Sequence, residues 1–261
     1  MFSLPIITLT SDWQQHDYYL ATVKGKILSC LPAVQIVDIN HHIKPFNSLQ
    51  AAFVLRNSFH HFPTGSIHLI CINSGTNPNR PHLAIKASGH YFIGTDNGIF
   101  SLLLTEKPDA IVRLTAPDKH QSTFPEADIF VPTACAIASG KNIHSLGEKQ
   151  ENIIEHTPLL PIIDKSLIQG CIIYFDSYQN AITNITKDLF YEIGKQRPFE
   201  ILVQSTKEKI TKIKTTYEES PKAELLAIFN SLNLLEIAVC HGNASGLFSL
   251  ELKSPVLIHF L

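Results

Sequence analysis

Two apolar runs that each break into a polar, turn-rich loop set the tightest limit on what this chain can fold into. His68-Leu69-Ile70-Cys71-Ile72 runs into Asn73–Arg80 (NSGTNPNR), and His90-Tyr91-Phe92-Ile93-Gly94 runs into Thr95-Asp96-Asn97-Gly98. Runs this short, bounded by Gly, Asn, Asp and Ser, read as buried strands that end in tight turns. In an open α/β sheet, ligands collect in the crevice outside the carboxyl ends of the strands. Two such loops side by side would make a polar floor for a small molecule, with Arg80 as its cation. The plain alternative is a pair of ordinary strand-ending turns.

The start of the chain repeats the pattern. Ile6-Ile7-Thr8-Leu9-Thr10 reads as a short buried strand and ends in Ser11-Asp12-Trp13. An aspartate at a first strand tip accepts hydrogen bonds from sugar hydroxyls or caps the next helix. Asp17–Leu28 is helix-compatible, so both readings of Asp12 stay open. Gln35–Ile39 reads as a second strand ending in Asn40-His41-His42, and Asn47 opens a buried helix that runs to Leu55.

Composition excludes several classes. The chain has 261 residues, 44% hydrophobic and 17% charged, enough to bury one large core or two smaller ones. A net charge of −2 gives no electrostatic case for nucleic acid or an anionic membrane. No basic segment followed by an apolar stretch opens the chain, and no apolar run is long enough to span a bilayer, so neither a secretory signal nor a membrane span is expected. The five cysteines, Cys30, Cys71, Cys135, Cys171 and Cys240, are scattered. An odd, dispersed set reads as free thiols in a reducing, cytoplasmic setting, with Cys71 and Cys171 as core residues. Thirteen histidines invite a metal site, but His41-His42 and His60-His61 lack helical ligand spacing, so no metal is expected and these four are read as surface or loop residues.

Strands alternate with helical segments up to about Lys149, which predicts an α/β domain with a mostly parallel central sheet. Ala134–Ser139 looks like a helix end closed by Gly140. The polar stretch Lys141–His156, followed by Pro158 and Pro161, marks a junction between residues 1–157 and 158–261. The second part reads as strands at Gly170–Phe175, Glu200–Gln204, Ile210–Lys214, Leu234–Val239 and the C-terminus, with a short helix within Thr183–Gly194. Short strands joined by turns predict an antiparallel β-barrel or sandwich.

Seven stretches carry a family resemblance from end to end. They are ITLTSDW, IVDINHHIKPFNSLQAAFVL, FPTGSIHLICINSGTNPNR, YFIGTDNGIFSLLL, STFPEADIFVP, IIYFDSYQNAITNI and LLEIAVCHGNASG. Their order and spacing resemble the S-adenosylmethionine (SAM) hydroxide adenosyltransferases, relatives of the SAM-dependent chlorinases and fluorinases. The resemblance implies an α/β N-terminal domain, a β-barrel C-terminal domain, and a homotrimer holding its ligand between neighbouring subunits. It implies SAM as substrate, water attacking ribose C5′, adenosine and methionine as products, and no cofactor.

It also implies roles for individual residues. Asp12 matches the aspartate that binds both ribose hydroxyls, and Trp13 stands where an aromatic walls the ribose; the alternative for Trp13 is a core aromatic. Asp176, Tyr178 and Asn180 match the positions that hold the methionine amino and carboxyl groups, with Tyr178 and Gln179 replacing Phe and Gly. A bare strand-end turn is the alternative for Asp176. Gly242, Asn243 and Ala244 match the turn that meets the adenine edge, while Cys240 and His241 replace an Asn and a Gly. Asp96-Asn97-Gly98 is kept and reads as a turn supporting Asn73.

The water-handling Asp-Arg-His set of the family is not kept. Asn73 stands at the Asp position, Arg80 at the Arg position and Pro125 at the His position. An amide cannot take a proton at neutral pH, proline has no polar side-chain group, and arginine stays protonated. Glu126, beside Pro125, is the candidate substitute base, against a solvated loop charge. The competing functions are a SAM or adenosine binder without turnover, and transfer of the adenosyl group to an anionic nucleophile such as a halide.

Overall fold

A computed structural model describes residues 4–115, 122–203 and 209–261. The chain forms two compact units, Met1–Thr157 and Pro158–Leu261. The first contains a seven-stranded sheet in the order β2-β1-β3-β5-β4-β6-β7. These strands are β1 (Ile6–Ser11), β2 (Gln35–Asn40), β3 (Ile67–Cys71), β4 (His82–Ala87), β5 (His90–Thr95), β6 (Ala110–Leu114) and β7 (Gly147–Lys149). Strands β2, β1, β3 and β5 run parallel to one another. Strands β4, β6 and β7 add an antiparallel flank, so the parallel part is half of the sheet. Strand β7 lies within the polar stretch Lys141–His156, which belongs to the first unit.

Period-two alternation decides which residues go to which face. Ile7, Leu9, Ile67, Leu69 and Cys71 point into one core with α1 (Tyr18–Cys30) and, after α2 (Ser48–Arg56) and α3 (Ile99–Leu103), with α4 (Val131–Ala138). Ile70, Ile72, Leu83, Ile85 and Phe92 point into a second core under α2 and α3. Helices on both faces leave β3 buried at every position, which is why its sequence is a continuous apolar run. Asn47 caps α2 by accepting from the Gln50 amide at 3.0 Å. Helix α4 ends at Ala138, and Gly140 follows at φ 86°, a left-handed position suited to glycine.

The second unit is a barrel-like sheet in the order β12-β11-β16-β9-β10-β15-β14-β13, with β8 also on β9. Its strands are β8 (Ile162–Asp164), β9 (Leu167–Phe175), β10 (Ala181–Thr186), β11 (Phe199–Val203), β12 (Lys209–Ile210), β13 (Ile213–Lys214), β14 (Leu225–Phe229), β15 (Leu234–Val239) and β16 (Pro255–Phe260). All described pairings are antiparallel except β13 with β14. Phe190, from α5 (Lys187–Gly194), packs edge-on against Phe199, Phe229 and Phe260 in the interior. The expected strand Glu200–Gln204 is β11, whose last expected residue, Gln204, lies outside the described residues.

Candidate functional site

The polar floor forms where β1, β3 and β5 end together. The Asp12 amide donates to the Cys71 carbonyl at 3.4 Å, tying the first loop to the second. The Asp12 carboxylate does not cap α1: the residue in the N-cap position is Asp17, and its side chain makes no cap bond. Instead Asp12 Oδ2 accepts from the Phe46 amide at 2.9 Å and the Asn73 amide at 3.3 Å. Oδ1 accepts no hydrogen bond among the described residues. Asn73 sits at φ 50°, a left-handed conformation that asparagine tolerates better than most residues.

The Asp96-Asn97-Gly98 turn braces this floor from below. Asn97 Nδ2 donates to the Ile72 carbonyl at 2.9 Å, fixing the peptide just before Asn73. Both Asp96 oxygens accept from the Ile154 amide, at 3.0 and 2.9 Å. The His82 Nε2 hydrogen bonds to the Ser74 carbonyl at 2.9 Å, and burial pushes the His82 imidazole pKa down, so the ring is a neutral donor there.

Glu126 is not a solvated loop charge. It opens a π-helical segment, Glu126–Phe130, directly after Pro125, and is only 5% exposed. Widened turns of this kind recur at functional sites because they re-aim side chains. Burial drives the Glu126 carboxyl above the ordinary carboxylate range, and the charges of Asp12 and Asp128 push the same way. The Ser74 hydroxyl faces the carboxyl and opposes the shift, but closes no well-formed hydrogen bond to it. No cation pairs with Glu126 among the described residues. Its neighbour Asp128, by contrast, holds Lys26 at 2.8 Å on the surface.

Trp13 stands half-buried against Phe124, edge-on at 5.7 Å, and against Tyr19 at 5.8 Å, so it belongs to an aromatic wall beside Asp12. Arg80 is half-buried; its amide donates to the Asn77 carbonyl at 3.0 Å, closing the loop, and its guanidinium has no ion pair among the described residues.

His41 corrects the reading of the paired histidines. Its neighbours in the expectation, His42, His60 and His61, are exposed, but His41 is buried at 1% exposure. Its Nδ1 lies 2.7 Å from Ser11 Oγ, and its Nε2 lies 3.1 Å from Asp38 Oδ1 without hydrogen-bond alignment. Asp38 in turn holds Lys24 at 2.6 Å. The His41 carbonyl accepts from the Gln14 amide at 3.1 Å, so this histidine ties both sides of the Asp12 loop. Only the β1–β2 register brings Ser11 and His41 together, and nothing local in the sequence marks it.

In the second unit, β9 ends in a turn that the predicted residues build among themselves. Asp176 Oδ1 accepts from the amides of Tyr178 at 2.9 Å and Asn180 at 2.8 Å, and Oδ2 accepts from Asn180 Nδ2 at 3.0 Å. Gln179 has φ 65°, so the conformation is one that a glycine adopts more readily. Asn180 is buried and Tyr178 is 79% exposed. The Gln179 carbonyl accepts from the Ser245 amide at 3.2 Å, which brings this turn to the Gly242-Asn243-Ala244 turn. There Asn243 caps α6 (Ala244–Phe248) through Gly246 at 2.6 Å, and Ala244 is buried. Asp12, Asn73, Arg80 and Glu126 thus share the first unit, and Asp176, Tyr178, Asn180, Asn243 and Ala244 share the second.

Comparison with known proteins gives the same division. Residues 7–147 match the SAM hydroxide adenosyltransferase N-terminal domain, and residues 170–257 match the C-terminal domain of that family. The chain is 31% identical to an (R)-S-adenosyl-L-methionine hydrolase of Methanocaldococcus jannaschii, over 98% of this chain and 96% of the relative. It is 28% identical to a protein of the same name from Thermus thermophilus, over 94% and 96% of the two chains. An uncharacterized conserved protein from Thermotoga maritima, 26% identical, superposes with a TM-score of 0.87 over 97% of this chain and 99% of that one. With both domains matched in order along one chain, this protein belongs to the SAM hydroxide adenosyltransferase family.

Proposed function

We propose that this protein hydrolyses SAM to adenosine and methionine, with Glu126 as the base in place of the missing triad members. One observation carries the reading: a buried carboxylate without a cation faces the same strand-end floor that holds Asp12. A water oxygen attacks ribose C5′ as the C5′–sulfonium bond breaks. The bonding pair goes to sulfur, methionine leaves neutral at sulfur, and the water proton goes to Glu126. A carboxyl raised toward neutral pH is a better acceptor than an ordinary one. Arg80 cannot take the proton, and the Asn73 amide orients water without deprotonating it.

Asp12 takes the ribose diol through its free Oδ1, and Trp13 walls the sugar. Asp176, Tyr178 and Asn180 receive the methionine end, and Asn243 and Ala244 the adenine edge. The reaction requires no cofactor, and a cytoplasmic homotrimer is the assembly that the family resemblance supports. Incubation with SAM, followed by chromatography of adenosine and methionine, tests the reading. Equimolar products that fall sharply in Glu126→Gln support it. Binding of SAM without turnover in the wild type would leave a non-catalytic binder. Formation of a 5′-halo nucleoside with added halide would replace water by an anion, which the buried Glu126 charge opposes. A trimer mass by sedimentation supports the assembly, and a monomer with full SAM affinity removes it.

A further inference from the structure

Three different metal-binding side chains converge in the second unit, at the point where this chain departs from its family. Cys240 and His241 follow β15, and Glu218 lies in the helical turn Tyr217–Glu219. Donor atoms from all three, a thiol sulfur, an imidazole nitrogen and a carboxylate oxygen, lie within 4.8 Å of one another. The His241 Nε2 is 3.2 Å from Glu218 Oε1 and 3.4 Å from Oε2. The Cys240 residue is buried at 2% exposure, whereas the His241 and Glu218 side chains are 53% and 76% exposed.

An ion pair between His241 and Glu218 explains two of these side chains. The thiol packs with Leu226, Ile228 and Ala238, and its sulfur still lies within 4.8 Å of both partners' donor atoms. His241 sits at φ 51°, where a β-carbon is disfavoured and where the family resemblance implies glycine.

We propose that Glu218, Cys240 and His241 bind a borderline divalent transition metal of the zinc type. In a tetrahedral zinc shell the ligand bonds are about 2.0–2.3 Å, so neighbouring donors stand roughly 3.3–3.7 Å apart. The His241–Glu218 pair is already near that separation, and rotation of two exposed side chains closes the rest. A set of one sulfur, one nitrogen and one oxygen selects zinc, cobalt or nickel over magnesium or calcium, which prefer oxygen alone. Three protein ligands leave a fourth position open for water or an incoming ligand atom. The site follows β15 and immediately precedes Gly242-Asn243-Ala244, so a bound metal would also fix the turn that opens α6. The inference stands independently of the hydrolase reading.

The test uses the full-length chain stripped with chelator, in a Cys30→Ser background because Cys30 is an exposed thiol that can bind metal by itself. Titration with cobalt(II) should give one equivalent per chain, the visible bands of a tetrahedral ion, and a near-ultraviolet thiolate charge-transfer band. Zinc should displace the cobalt. Cys240→Ser should abolish the charge-transfer band, and His241→Asn should weaken cobalt binding by more than about 100-fold. If Cys240→Ser fails to fold, His241→Asn and Glu218→Gln carry the test, since both residues are exposed. No saturable cobalt binding in the parent, or spectra and affinity unchanged by these substitutions, overturns the site.

Discussion

Two buried glutamates, one in each unit, are held in opposite ways. Glu236 on β15 is 2% exposed and has a donor on each oxygen: the Tyr217 hydroxyl at 2.7 Å and the Asn230 amide at 3.0 Å. Glu126 is 5% exposed, and its carboxyl has the unaligned Ser74 hydroxyl and its own backbone amide beside it among the described residues. Burial raises both carboxyls, but only Glu236 has the hydrogen bonds that make a buried acid part of the scaffold. The two aspartates repeat the contrast. Asp176 spends both oxygens on its own turn, whereas Asp12 spends one and keeps the other. Unspent polar capacity marks Asp12 and Glu126, whereas Asp176 has its charge rather than a free oxygen to offer a ligand.

The largest effect should come from Glu126→Gln. Losing a general base typically costs roughly 10²–10⁴-fold, so adenosine release should fall by that much while SAM binding, read by calorimetry, changes little. An unchanged rate would make Glu126 equivalent to Glu236 and break the comparison at its centre.

Acid should next distinguish the first unit. His68 is buried between Thr8, at 2.7 Å from its Nδ1, and His90, at 3.2 Å from its Nε2. Burial, with the neighbouring His90, lowers its pKa from 6.5 to about 3. Between those values the folded chain binds fewer protons than the unfolded one, so stability is full above about 6.5 and is lost as pH falls toward about 3. The loss is at most about 5 kcal/mol, and a urea midpoint followed from pH 7 to pH 4 should record the larger part of it. His68→Phe should flatten this pH dependence, and a slope identical to wild type would rule the group out.

Asp12→Ala should weaken SAM and adenosine binding by about 1.5–3 kcal/mol, the worth of a hydrogen bond to a charged group. Calorimetry giving wild-type affinity for both ligands would remove Asp12 from the site. Glu236→Gln should instead cost about 1–3 kcal/mol of folding stability, because an amide nitrogen would face the Asn230 donor, and should leave turnover per folded molecule unaltered. A loss of turnover at unchanged stability would reverse the assignment of the two glutamates.

The smallest effect on folding belongs to Asp176→Asn. The new amide oxygen still accepts from the Tyr178 and Asn180 amides, and the new nitrogen that faces Asn180 Nδ2 is partly open to water, so the thermal midpoint should fall by the equivalent of about 1 kcal/mol. SAM affinity should nevertheless fall roughly tenfold through loss of charge toward the methionine ammonium. Unaltered affinity would leave Asp176 as a turn residue and nothing more.

Much of this was legible in the chain itself. The short apolar runs of β1 and β3 and the turn residues after each strand depend only on local sequence, so the strands, their carboxyl-end loops and Asp12 could be placed directly. The glycine-like turn at Gln179 and the Asn47 cap are local for the same reason. The antiparallel half of the first sheet was not legible, since β4 and β5 carry the same apolar texture whichever way they run. Nor was the burial of His41 and Glu126. His41 is enclosed because the β1–β2 register sets Ser11 against it, and Glu126 because a π-helical turn after Pro125 swings it inward. Residue type determines which groups can titrate and donate. Whether a group is spent on the scaffold or left for a ligand depends on partners distant in sequence, and only the folded chain supplies those.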